Sequence, residues 1–279
     1  MSFHVYAGAV DSREHVGIRR IGMADLFDAL RKGLDDFMVK PSHIAFIIVI
    51  YPLVGVILAA WTSSAANALP MLFPLASGFA LIGPFAALPL YEVSRRREKG
   101  LDTSWKQVLD VRHSPALPSI AVMGIMLLAV FITWLLVAQT LYSQAFGDMP
   151  PTSLSAFLND ILVTENGFWL LLVGNLTGLF FAILVLCTTV IAFPLLLDRD
   201  VGVYEAIHAS VRAVAANPVE MAAWGLIVAV LLALGSLPVF AGLIVVLPIL
   251  GHATWHLYRK VVEPAPGETR PFAARLAAL

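Results

Sequence analysis

VYEAIHASVRAVAANP, residues 203–218, is an amphipathic pattern that ends in a proline and runs directly into an apolar segment. Residues 26–41, LFDALRKGLDDFMVKP, overlay it without a gap. Phe27 falls on Tyr204, Asp28 on Glu205, Ala29 on Ala206, Leu30 on Ile207, Leu34 on Val211 and Pro41 on Pro218. Only the alanine and proline pairs are identical, so the match is one of pattern, and it reads as one structural unit used more than once. Between residues 23 and 39 the apolar positions 26, 27, 30, 34 and 37 fall at helical spacing, with Arg31, Lys32, Asp35 and Asp36 on the other face. Such a helix lies along a membrane surface or packs on the ends of a helix bundle, and both readings stay open here. Tyr204 and Ile207 are expected to pack this layer of helices together.

A third copy, SWKQVLDVRHSPALP at residues 104–118, needs a gap to align and again places a proline just before an apolar run. The order is therefore amphipathic helix, proline, span, outer turn, span, three times over, in units 23–99, 102–201 and 202–263. Pro89, Pro194 and Pro248 each fall in the inner half of a unit's second span. Proline removes a backbone donor and kinks a helix there, which gives either a shared packing geometry or the hinges of a gated path.

Apolar residues make up 59% of the chain and charged residues 13%, with a mean hydropathy of +0.84. Soluble domains carry roughly 45–50% and about 25%, so the chain reads as an integral membrane protein. Six apolar segments reach the length a span needs: 42–61, 70–91, 117–143, 167–197, 219–234 and 238–258. Residues 235–237 join the last two as a tight hairpin. The expected fold is all-α, a polytopic membrane helix bundle of six transmembrane helices arranged as three hairpins, each preceded by a cytoplasmic amphipathic helix. Residues 1–22 are expected as a flexible cytoplasmic arm, 23–263 as the transmembrane domain and 264–279 as a cytoplasmic tail. Asp11, Arg13, Glu14, Arg19 and Arg20 stand where the apolar core of a signal peptide would sit.

Lys and Arg number six in residues 1–41, six in 92–113, two in 198–218 and four in 257–279, which accounts for all 18. The connections 62–69, 145–166 and 235–237 hold none. The positive-inside rule then places both termini in the cytoplasm, and an even number of spans agrees. Within 145–166, Leu154, Phe157, Leu158, Ile161 and Leu162 share one face of a short outer helix, and Trp169 just beyond fits an interfacial aromatic anchor.

Side chains able to do chemistry are few. A net charge of -1 and a pI near 6.6 argue against nucleic acid as a partner. The single cysteine, Cys187, excludes an internal disulfide and a cysteine metal cluster. No Asp, Glu, Lys or Arg falls near the middle of a predicted span, which counts against a proton-coupled pump. Gly174, Asn175 and Gly178 form a GxxxG that suits close helix packing, with Asn175 expected to donate to an adjacent helix. GHATWHLYRK, residues 251–260, places His252 and His256 one turn apart on one face. Two such imidazoles suit a metal, and one suits a haem. The sequence lacks the glutamate of a zinc peptidase motif and any companion cluster of ligands. The simpler reading is anchoring, with Trp255 and Tyr258 at headgroup level and Arg259 and Lys260 reaching lipid phosphates. No nucleophile elbow, phosphate loop or dinucleotide fingerprint occurs, so no enzyme activity and no cofactor are expected.

At GHATWHLYRK, and in the proline-terminated helices and six-span layout, the chain resembles a bacterial family of predicted integral membrane proteins, domain of unknown function 2189. The resemblance spans residues 20–263. It implies the bacterial inner membrane and, by itself, no activity. Members are labelled as related to an oxidase core subunit, which would require many more spans and several histidines deep in the bilayer. The leading function is thus a non-catalytic membrane protein, an accessory, assembly or interaction subunit. Its partners would be membrane lipids and other membrane proteins, a respiratory complex among them. The alternative is a transporter or facilitator of a neutral or amphipathic small molecule.

Overall fold

The structure, a computed structural model, describes residues 16–40, 69–104, 115–148, 151–238 and 240–265. These residues are helical, with no strand among them, and one isolated antiparallel bridge joins Ile18 to Val262. The helices are α1 (Met23–Val39), α2 (Leu69–Phe79), α3 (Leu88–Glu98), α4 (Leu117–Phe146), α5 (Leu154–Val163), α6 (Glu165–Thr189), α7 (Ala192–Asp198), α8 (Gly202–Ala216), α9 (Pro218–Ser236) and α10 (Leu243–Val261). Among the described residues four stretches are long and apolar enough to cross a membrane: Leu69–Glu98, Leu117–Phe146, Glu165–Asp198 and Pro218–Ser236. The first expected span, 42–61, and most of the amphipathic segment 104–118 lie outside the described residues. The sixth, 238–258, falls on α10. That helix is continuous, but its second half carries His252, Thr254, His256, Arg259 and Lys260 and is too polar to count with the other four.

Prolines set where the long helices break. Between Leu69 and Glu98 the chain passes from α2 through a 3-10 turn and a single helical turn, Gly83–Ala86, into α3. Pro84 and Pro89 cannot donate to the carbonyls four residues before them, so the ladder fails there. The Ala87 carbonyl accepts from Leu90 and Tyr91 instead, at 2.9 and 3.1 Å. Pro194 does the same to the carbonyl of Val190, and α6 gives way to α7 at residues 190–191. Pro248 differs: it sits inside an unbroken α10. Two of the three expected kinks are thus helix breaks, and the third is not.

The chain divides into two compact units, Met1–Ile47 with Pro84–Met123 and Cys187–Leu279, and Ile48–Gly83 with Gly124–Leu186. In the first, α10 is the central post, packed along its length by α1 and on other sides by α3, α7 and α9. Its closest neighbour is α1, because Gly33 lets the two backbones meet: a Cβ on Gly33 would lie 2.6 Å from the Ala253 nitrogen. Trp224, Trp255, Tyr258 and Phe193 are the largest fully buried side chains here. From Val16 onward the expected flexible arm is held in place. Arg19 N donates to the Val261 carbonyl (2.7 Å), Glu263 N to Gly17 (2.9 Å), and Ile21 N to Asn217 Oδ1 (2.8 Å).

The second unit is built around Trp134 of α4. Its ring lies 5.6 Å from that of Phe181, and a Cβ on Gly78 or Gly178 would press against it. Its Nε1–H donates to the Pro74 carbonyl at 2.8 Å. Trp134→Phe keeps the packing and removes that donor, so unfolding stability in detergent should fall by about 1 kcal/mol; no change would show the bond to be idle. The short helix expected from this stretch appears as α5, capped by Ser153 Oγ on Ala156 N (3.1 Å). Its turn into α6 is tight: a Cβ on Gly167 would collide with the carbonyl oxygens of Asp160 and Ile161.

Candidate functional site

The densest polar cluster in the described chain gathers at the charged ends of α1, α3, α7 and α10. Helical spacing supplies it. On α1, Leu26, Ala29, Gly33 and Asp36 form the buried stripe, so Asp36 is carried inward one turn beyond the Gly33–Ala253 contact. On α3, Ser94 and Arg97 are adjacent on one face; on α10, His252 and His256 are one turn apart.

Asp36 is the hub. Its Oδ2 accepts from Ser94 Oγ (2.5 Å) and from His256 Nε2 (2.9 Å), and its Oδ1 accepts from Arg97 Nη1. Ser94 Oγ also lies 2.8 Å from His252 Nδ1. An ionised carboxylate can only accept, and a hydroxyl has one hydrogen to give. Ser94 therefore donates to Asp36, and His252 Nδ1–H donates to Ser94. Burial alone would push the Asp36 carboxyl up. The hydrogen bond and charge of His256, with the Ser94 hydroxyl, outweigh it and hold the group at about 2 against an ordinary 3.8. A carboxyl depressed in the folded state stabilises fully above its unfolded value and loses that stabilisation as pH falls towards the folded one. Between pH 4 and 2 the loss from Asp36 should be about 2 kcal/mol. Acid unfolding of the wild type and of Asp36→Asn checks this, since the substitution should flatten that part of the curve.

Around the hub, cations and carboxylates pair closely. Glu92, itself buried, accepts from Arg95 Nε (2.7 Å) and Arg96 Nε (2.6 Å). Glu98 accepts from Trp255 Nε1 (3.1 Å) and Arg259 Nε (3.0 Å). Asp198 accepts from Tyr258 OH (2.9 Å), Arg259 Nη1 (3.3 Å) and Lys99 Nζ (3.2 Å). Lys260 Nζ reaches Asp25 (3.0 Å) and Asp28 (2.7 Å). Burial pushes the Asp28 carboxyl up, but its bonds to Lys260 and Lys32 bring it to about 2.

This arrangement corrects the anchoring reading of the motif. Trp255 and Tyr258 are wholly buried and donate to carboxylates, so their polar tips face the protein and not the headgroups. Arg259 and Lys260 are bound to Glu98, Asp198, Asp25 and Asp28, where lipid phosphates had been expected. His252 and His256 do share a face, but their rings are engaged by Ser94 and Asp36. Among the described residues no group of three or more His, Cys, Asp or Glu is placed to hold a metal ion. Nor is the set a nucleophile with its base: serine, and not histidine, is the middle member, and Ser94 is 1% exposed. Trp169 is exposed near the start of α6. Within the GxxxG, Gly178 packs on Trp134, but nothing approaches Gly174. Asn175 is exposed and donates to Leu171 of its own helix at 2.7 Å, not to a neighbour.

A family model described as predicted integral membrane protein (DUF2189) matches residues 72–198. The match covers α2 to α7 and leaves α1, α8, α9 and α10 outside it. No curated protein and no solved structure matches. Four apolar stretches and this match together make the chain a multi-pass, helical, membrane-integral protein.

Proposed function

We propose that the chain belongs to this family of predicted integral membrane proteins and is a non-catalytic inner-membrane protein, an accessory, assembly or interaction subunit of a membrane complex. One observation carries the reading: among the described residues the densest concentration of reactive side chains is used up in internal pairs, with Ser94 and His252 sealed from any substrate. Such a cluster fixes helices and leaves nothing free to react. The Lys and Arg distribution supports cytoplasmic termini and six spans in three hairpins. The like burial of Ala29 and Ala206, and of Gly33 and Ser210, supports the repeat in units 23–99 and 202–263. Mild extraction at native abundance tests the function. A stoichiometric second polypeptide is the expected result, and migration solely as a free monomer in several mild detergents would overturn it.

A second reading, a facilitator of a neutral or amphipathic solute, draws on the helix breaks at Pro84, Pro89 and Pro194 inside two apolar stretches. Solute flux into proteoliposomes above that of empty vesicles would favour it over the first.

A further inference from the structure

α1 and α8 bury the wrong residues for helices that face water. Their inward stripes are mostly small: Ala29 and Gly33 beside Leu26 and Asp36 on α1, and Ala206, Ala209, Ser210 and Ala213 on α8. Their large apolar side chains point out. Phe27 is 61% exposed and its counterpart Tyr204 79%; Leu34 is 44% exposed and its counterpart Val211 42%. Met23 and Met38 extend the outward row on α1. Apolar surface left in water costs roughly 25 cal/mol per Å², so a helix in solution would turn the other way round. Lipid reverses the rule, because small residues then mark the contact and large apolar ones face the solvent.

The surroundings of both rows say what covers them. α8 runs into α9 through the single residue Asn217, whose side chain is fixed by Ile21 N (2.8 Å), the Arg19 carbonyl (3.1 Å) and the Ala213 carbonyl (3.1 Å). Past that junction the exposed apolar surface continues on α9 through Val219, Leu226, Val230 and Leu234, the outward residues of a helix fit to span a membrane. α1 likewise ends two residues before the apolar run at 42–61. Arg31, Lys32 and Asp35 lie exposed on α1 between the two faces, and the long side chains of Arg31 and Lys32 can keep their charges in water.

We propose that the outward rows of α1 and α8 are seated in the headgroup–acyl boundary of the leaflet at the protein's charged end, so that the chain is bound along the membrane surface as well as through it. The occupant is bilayer lipid and not a protein partner. This proposal does not depend on the accessory-subunit reading.

Collision measurements on nitroxides test it in the full chain, in nanodiscs of phosphatidylethanolamine and phosphatidylglycerol. In a Cys187→Ala background, single cysteines replace Phe27, Leu34, Tyr204 and Val211, with Arg31 and Asp35 as polar controls. The ratio of collisions with oxygen to collisions with a soluble nickel chelate is expected to be several-fold higher at the four apolar sites than at the two controls. Ratios equal to the controls would place the rows in water and overturn the proposal. Low collision with both reagents would place them under protein, a partner or a second copy, and would overturn it equally. Should a labelled chain not fold, Phe27→Trp supplies the same reading. Lipid brominated near the headgroup should quench its added fluorescence, and unchanged emission relative to wild type would reject the seat.

Discussion

Asp36→Ala is expected to lower unfolding stability by about 3–5 kcal/mol, the range for removing one partner of a buried charged pair. The carboxylate is almost wholly buried and is the common acceptor for Ser94, His256 and Arg97. Alanine leaves all three donors without their acceptor at once, and Ser94 and most of His256 lie where water reaches poorly. His252 is then affected at second hand, because Ser94 is free to turn its hydrogen elsewhere. Three helices meet at this point, so the loss spreads to the α1–α3–α10 junction. The measurement is denaturant or thermal unfolding in one detergent, with Asp35→Ala as the control. Asp35 is the exposed neighbour, and its replacement should stay within about 0.5 kcal/mol of wild type. Equal effects at 35 and 36 would show that the hub is not what joins these helices.

None of the hub's importance was legible at Asp36 itself, which in the sequence is one of four charged residues on the polar side of an amphipathic pattern. Its partners Ser94 and His256 lie 58 and 220 residues away, and periodicity reports only neighbours within a few turns. The same distance hid the carboxylates of Glu98 and Asp198, so Trp255, Tyr258, Arg259 and Lys260 read as a membrane anchor with nothing else to bind. What local pattern does report came through: the short helix α5, and the proline breaks at Pro89 and Pro194. The amphipathic helices were legible as helices, but not in which side they bury. Large apolar residues were expected to pack the layer, with Tyr204 as its marker. Yet Tyr204 is among the most exposed side chains, and the packed stripe is Ala206, Ala209, Ser210 and Ala213. On these two helices size, rather than apolarity, separates the inside from the outside.

Gly33→Leu follows from that rule and is expected to cost about 3 kcal/mol, at the upper end for overpacking a tight contact. A Cβ at residue 33 would stand 2.6 Å from the Ala253 nitrogen, 2.7 Å from its Cβ and 2.8 Å from its Cα. Two of these are backbone atoms of α10, which cannot rotate aside, so relief requires α1 and α10 to separate. Separation in turn stretches the Asp36–His256 bond one turn further along, and packing and polar losses come together. Gly251 is the informative comparison. A Cβ there would meet the Leu90 side chain, chiefly its Cδ1, which can change rotamer, so Gly251→Ala should cost less. Gly174 has nothing within 4 Å, and Gly174→Ala should be neutral or raise stability by up to about 1 kcal/mol through helix propensity alone. Unfolding of the three variants under one condition therefore has an expected order, with Gly33→Leu lowest and Gly174→Ala highest. A Gly33→Leu chain as stable as wild type would mean that α1 does not lie on α10 at this distance, and the hub built on that contact would have to be redrawn.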